Sequence, residues 1–230
     1  QYALATWLRE AGRYAEMIPI MEPLVKYHPD SMRYRADLMA AYYHSQRPEQ
    51  VQQLIEQTET YFHAGGRWTE SNVAQFAAGC IGINDWDRAK KYYIEAIALH
   101  QRRHPQSGVN DNTLSQYYQQ LSSAESSLGH TKDAVTAAMS SIICWDSRHE
   151  YRQYAMNSLR SVLSASKDLD EFVTQLDTEA AQSGQDNPIL RKAIGQTYQS
   201  RNEHTKAIAQ FHLALELQPS DKETHLALIS

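Results

Sequence analysis

The chain has 230 residues, 42% hydrophobic and 21% charged, which is ordinary composition for a folded protein with a large buried surface. No stretch approaches the roughly 18 consecutive apolar residues of a membrane-spanning helix, so membrane insertion is excluded as an expectation. The 22 basic residues against 27 acidic ones give a net charge of −5. That balance speaks against nucleic acid or an anionic lipid surface as the partner, because both require a concentrated basic face.

Apolar residues recur every three or four positions along the whole chain, as amphipathic helices demand. The sequence opens inside such a pattern with no initiator Met, and is read as a piece of a longer protein. Six helix pairs are expected, each anchored where its second helix packs on its first, at Met17, Val51, Ala89, Ala134, Phe172 and Ala207. The anchors lie 34 to 45 residues apart. The first unit, about 1–31, carries Leu4, Leu8, Met17, Met21 and Leu24, with Gly12 to end its first helix. Pro19 and Pro23 fall inside its second helix, where a ring without an N–H predicts a kink or an irregular turn on the outer face. The second unit, 32–65, has Leu38, Tyr42, Val51 and Phe62, with Pro48 at a helix start. The third, 70–103, carries Phe76, Cys80, Ala89 and Tyr93 around a turn at Asn84-Asp85-Trp86. The fourth, 113–146, turns at Gly129-His130-Thr131, with Thr131 expected as the N-cap of the helix that follows. The fifth, 150–186, keeps the period through Leu159, Leu163 and Phe172 and little else. The sixth is 188–221, and 222–230 begins a further helix. Long loops are expected at 63–67 and 104–112 from their Gly, Pro, Ser and Asn content.

The sixth unit carries a specific signature. Arg191 is followed by Ile194 and Gly195, then Tyr198, then Ala207, Phe211, Ala214 and Pro219. This is the 34-residue tetratricopeptide pattern with only its aromatic opener replaced. The chain thus resembles tetratricopeptide-repeat proteins, strongly in unit six and progressively less in units one and three, then two, four and five. The resemblance implies an all-α fold, a right-handed α-solenoid of about six helix-turn-helix repeats forming a single superhelical domain. It also implies that the first helices line a concave groove for a peptide or partner segment.

Mapped unit by unit, the resemblance puts Arg33, Tyr43 and His44 in that groove from the second unit, with Ala74, Ala78 and Ile81 from the third. The fourth gives Gln116, Gln119 and Ser123, the fifth Tyr154, Asn157 and Ser161, and the sixth Lys192, Gln196 and Gln199. The lining is neutral and polar with two tyrosines, suited to backbone amides of an extended peptide. The Lys-Asn-Arg constellation by which chaperone-binding members hold a terminal carboxylate is not matched, since Ala227 stands where an Asn would be required.

Chemistry is sparse. His100 and His104, four apart on a helix, could share a face toward a metal, but the sequence shows no third ligand nearby. His149-Glu150 opens like a zinc-protease motif, yet Gln153 stands where its second His is needed. No phosphate-binding Gly loop and no nucleophile elbow occurs, and Cys80 and Cys144 sit at buried helical positions. No catalytic residue, cofactor or metal is therefore assigned. The expected function is a non-catalytic scaffold for a protein or peptide partner, with no nucleic acid. Two alternatives stay open: an accessory domain of a larger enzyme or sensor, and homo-oligomerisation through exposed helix faces.

Overall fold

The computed structural model describes residues 1–65, 68–105, 111–144 and 149–229, with the side chains of 149–153 excepted. Thirteen α-helices and no strand occur among the described residues. They divide into two compact units, residues 1–106 and 107–230.

The first unit contains α1 (Tyr2–Glu10), α2 (Tyr14–Tyr27), α3 (Met32–His44), α4 (Pro48–Ala64), α5 (Glu70–Gly82) and α6 (Trp86–Arg103). They form three hairpins, α1–α2, α3–α4 and α5–α6, stacked through α2 on α3 and α3 on α5. Met17, Met21, Met39, Phe62 and Phe76 are fully enclosed, and the Phe76 ring lies 4.9 Å from that of Tyr92, tilted by 60°. Polar ties cross the hairpins. Asp37 accepts from Tyr2 Oη at 2.6 Å and Arg9 at 2.7 Å, joining α1 to α3. The second unit contains α7 (Asn112–Ser127), α8 (Thr131–Ile143), α9 (His149–Ala165), α10 (Leu169–Ser183), α11 (Pro188–Ser200), α12 (His204–Leu217) and α13 (Lys222–Ile229). One core runs through it from Ala134 and Ala138 by way of Leu159, Leu163 and Phe172 to Ile194, Tyr198 and Phe211. Small residues set the spacing. Ser122 donates to the carbonyl of Ala134 at 2.8 Å across the α7–α8 contact. A Cβ on Gly195 would come within 2.6 Å of the Phe211 ring.

Five of the six helix pairs are packed hairpins that turn in one way, whereas α10 packs on α8 rather than along α9. The second residue after the first helix is left-handed: Gly12 at φ 69°, Gln46 at 56°, Asn84 at 57°, Gly129 at 81° and Asn202 at 60°. The next residue's N–H then reaches back five residues: Arg13 to Leu8, Arg47 to Tyr42, Asp85 to Cys80, His130 to Glu125, Glu203 to Tyr198, all at 2.8–2.9 Å. This closes the orphaned carbonyls at each helix end. Gly and Asn tolerate such a φ, whereas a Gln must carry its Cβ into it. The α9–α10 turn differs and is held by side chains. Thr131 is not the N-cap of α8. His130 is, without a side-chain bond, and Thr131 opens the helix. Its buried hydroxyl instead donates to Asp168 at 2.7 Å, and Ser166 donates to the same carboxylate at 2.6 Å. α2 runs through both Pro19 and Pro23 as one helix with the rings exposed, so the missing donors fall on the solvent side. Residues 63 and 64 still belong to α4, and 106–110 of the expected 104–112 loop lie outside the described residues.

Two outcomes follow. Gln46→Gly should raise stability by about 0.5–1 kcal/mol in urea denaturation, because relief of the left-handed strain exceeds the entropy that Gly adds to the unfolded chain. The hydroxyls of Ser166 and then Thr131 hold the Asp168 carboxyl below its usual range. Its contribution to stability is therefore full above about pH 4 and lost as pH falls below that value. Asp168→Asn should be less stable than wild type at pH 7, and the gap should close on acidification in parallel urea titrations.

Candidate partner-binding faces

In the second unit, α7 packs beside α9 and α9 beside α11. Each helix must hide one stripe and leave another, and the residues left over recur at helical spacing. On α7 Gln116 is exposed and Gln119 half-buried, with Ser123 exposed a turn further on. On α9 Tyr154 is 67% exposed, and Asn157 and Ser161 are exposed. On α11 Lys192, Gln196 and Gln199 are all half-buried. Gln116 donates to Asn112 at 3.0 Å, and Asn157 accepts from Arg160, so both amides are oriented by neighbours on their own helices.

Lys192 is not a free cation on that stripe. Its ammonium donates to Asp221 at 2.9 Å and to Glu223 at 2.8 Å, tying α11 to the start of α13. Its side chain is 14% exposed. Both carboxylates lie about thirty residues downstream, beyond the reach of periodicity. Lys192 therefore acts as a joint between elements, which limits what it offers a ligand.

In the first unit the mapped residues of α3 are exposed but engaged. The Arg33 guanidinium lies 5.0 Å over the ring of Tyr2. The His44 ring stacks on Tyr14 at 4.2 Å, and Tyr43 Oη accepts from Asn84 Nδ2 at 2.9 Å. Tyr43 thereby ties the end of α3 to the α5–α6 turn. On α5 Ala78 is exposed, with Ala74 and Ile81 half-buried beside it.

The histidine pair acquires a third member that the sequence could not supply. Glu70, at the start of α5, sits with Oε1 2.8 Å from His100 Nδ1, and the ligand atoms of Glu70, His100 and His104 lie within 4.8 Å of one another. Arg103 also approaches Glu70, at 3.6 Å, so the carboxylate already faces a cation. A second such group joins Glu125, His130 and Asp133, where Glu125 and His130 Nδ1 are 2.8 Å apart at the α7–α8 turn. Both groups tie the two helices of a hairpin together. The Cys80 thiol is pushed up to about 12 by burial and then by Asp85. Burial, followed by Asp111, pushes Cys144 to about 11, so neither is a nucleophile at neutral pH. His149, Glu150 and Gln153 have side chains outside the described residues.

The molecule so built is a helical-repeat protein whose unit is a hairpin of two antiparallel helices. Residues 193–221, the sixth hairpin, match the family model described as "Tetratricopeptide repeat". No curated protein sequence matches it. Among solved structures it is similar to a chain of the APC/C hetero-tetramer Cut9-Hcn1, at 13% identity over 98% of this chain and 41% of that one, with a TM-score of 0.46. The chain thus spans less than half the length of that relative. It is also similar to the Podosopora anserina putative kinesin light chain nearly identical TPR-like repeats, at 15% identity over 85% and 98%, with a TM-score of 0.48. Pseudomonas aeruginosa pilF is similar at 12% identity over 97% and 92%, with a TM-score of 0.48.

Since Lys192 spans α11 and α13, Lys192→Ala should cost about 1–2 kcal/mol of stability in thermal or urea denaturation of the whole chain. A surface lysine without partners would move it by less than about 0.5 kcal/mol.

Proposed function

We propose that this chain is a non-catalytic scaffold that binds a peptide or an extended partner segment along the exposed stripe of its first helices. The tetratricopeptide fold supports a protein-interaction scaffold in general, and proteins of this kind are generally non-catalytic. The finer reading rests on one observation. Within the second unit the neighbouring helices α7 and α9 leave Gln116, Tyr154 and Asn157 unburied, with Tyr154 67% exposed.

An exposed tyrosine on a rigid helix gives contact area at small entropic cost, and flanking amides can pair with backbone groups of an extended chain. The Gln119 amide stands half-buried on the same helix as Gln116. Partner side chains would be buried against the helices while the amides fix the register of the backbone. Tyr43 and Arg33 form the corresponding candidates on the first unit, with part of their capacity already used internally.

The triple variant Gln116→Ala, Tyr154→Ala, Asn157→Ala tests this without touching the core. In a cross-linked pull-down from source cells it should lose the partner retained by wild type, with unchanged helicity by circular dichroism. Against the purified partner, loss of a central tyrosine should weaken binding by about 30-fold. Equal capture by variant and wild type would move recognition away from these helices.

A further inference from the structure

The first unit holds a buried arginine with no counter-ion. Arg35 on α3 is only 5% exposed. Its Nε donates to the Pro29 carbonyl at 2.9 Å and its NH1 to the Thr58 hydroxyl at 3.3 Å. The rings of Tyr61 and Phe62 lie 5.0 and 5.7 Å from its guanidinium carbon. No carboxylate among the described residues lies within 4.0 Å of it. A guanidinium carries five N–H donors, and two are used. A buried charge left unpaired is costly, so such groups are normally neutralised.

The chain contains its own control. Arg191 is the fourth residue of α11 as Arg35 is the fourth of α3, and it is equally enclosed, at 1% exposure. Arg191 has the counter-ions that Arg35 lacks: Asp186 at 2.8 Å and Asp177 at 2.6 Å, with Gln210 accepting at 3.0 Å. Glu22 is the ninth residue of α2 as Asp177 is the ninth of α10, but it makes no ion pair with Arg35, and neither does Asp30, which precedes Arg35 as Asp186 precedes Arg191. The structure has a cavity of about 460 Å³ between α2, α3 and α4, lined in part by Glu22, Lys26, Arg35, Gln57 and Tyr61. That volume is in the range of small-ligand sites, about 300–1,000 Å³. Glu22 is already bonded by Tyr42 Oη at 2.8 Å, and Lys26 adds a second cation. A neighbouring cavity shares Gln57 and Tyr61 and continues along α4.

We propose that the cavity between α2, α3 and α4 is a carboxylate-binding site, taking an aspartate or glutamate side chain of an extended partner segment onto Arg35. The ligand supplies from outside the charge that Asp186 and Asp177 supply to Arg191 from within. The remaining N–H groups of Arg35 take the carboxylate oxygens, and the segment's backbone runs along α4 past Gln57. This site is separate from the first-helix stripe and does not depend on it.

The probe is the capped tripeptide acetyl-Ala-Glu-Ala-amide, against its Gln counterpart at equal ionic strength, with thermal unfolding of the full chain as readout. The Glu peptide should raise the midpoint by about 1–2 °C near saturation and the Gln peptide should not. The rise should vanish in Arg35→Gln. It should also vanish in Gln57→Glu, which puts a repelling charge at the exposed rim and leaves the core intact. Three results would overturn the proposal: no rise in wild type, an equal rise with the Gln peptide, or a rise that survives Gln57→Glu. An equal rise with inorganic phosphate would overturn the carboxylate assignment. If Asp30→Asn alone destabilises the unliganded protein as much as Arg35→Gln does, Asp30 is the counter-ion and the site is already filled.

Discussion

Every helix pair but one depends on a single backbone conformation, a left-handed residue two places beyond the first helix. That residue reverses the chain within three positions and lets the next N–H close the open carbonyl five residues back. The reversal fixes where the second helix begins, and hence which of its residues face the first. Ala89, Ala134 and Ala207 are fully or almost fully buried because the turn before each one sets its phase. Core, stripe and inter-hairpin ties all follow from that phase.

Polar residues then decide how hairpins meet. The eleventh residue of α3 and of α11 is a tyrosine that donates to an acid on the preceding second helix, Tyr42 to Glu22 and Tyr198 to Asp170 at 2.7 Å. The same logic makes Asp37, Glu70 and Asp168 bridge between helices. The divergent fifth helix pair shows the substitution of one device for another. It lacks a left-handed turn residue, and the hydroxyls of Thr131 and Ser166 on Asp168 hold its corner instead.

Much of this architecture was legible in the sequence, because spacing is what a repeat writes down. Gly12, Asn84 and Gly129 marked turns by residue type, while Gln46 gave no signal, since a side chain that only tolerates its φ carries no signature. The candidate site was less legible. Which residues of α7 and α9 stay exposed follows from helical phase. That Lys192 is spent on Asp221 and Glu223, or that Glu70 completes a group with His100 and His104, depends on contacts about thirty residues away. Thr131 stands one position inside the helix rather than at its cap, enough to make it a buried bridge to Asp168. Arg35 and Arg191 are the sharpest case. They share residue type and helix position, and they differ in their partners: Asp177, Asp186 and Gln210 around Arg191, against the Pro29 carbonyl and the Thr58 hydroxyl around Arg35.

The arrangement around Arg191 also bears on the order in which the chain assembles. Its partners come from three places: Asp177 on α10, Asp186 in the connection before α11, and Gln210 on α12. A chain that closed α11 on α12 before α10 arrived would enclose a guanidinium without Asp177. Desolvating it at that stage is uphill, so the fifth and sixth helix pairs gain most by forming together. Repeat arrays are approximated as chains of neighbours whose coupling sets how far cooperativity extends. At this junction the coupling is ionic as well as apolar, and the amides of α10, α11 and α12 are expected to open to hydrogen exchange as one block rather than hairpin by hairpin.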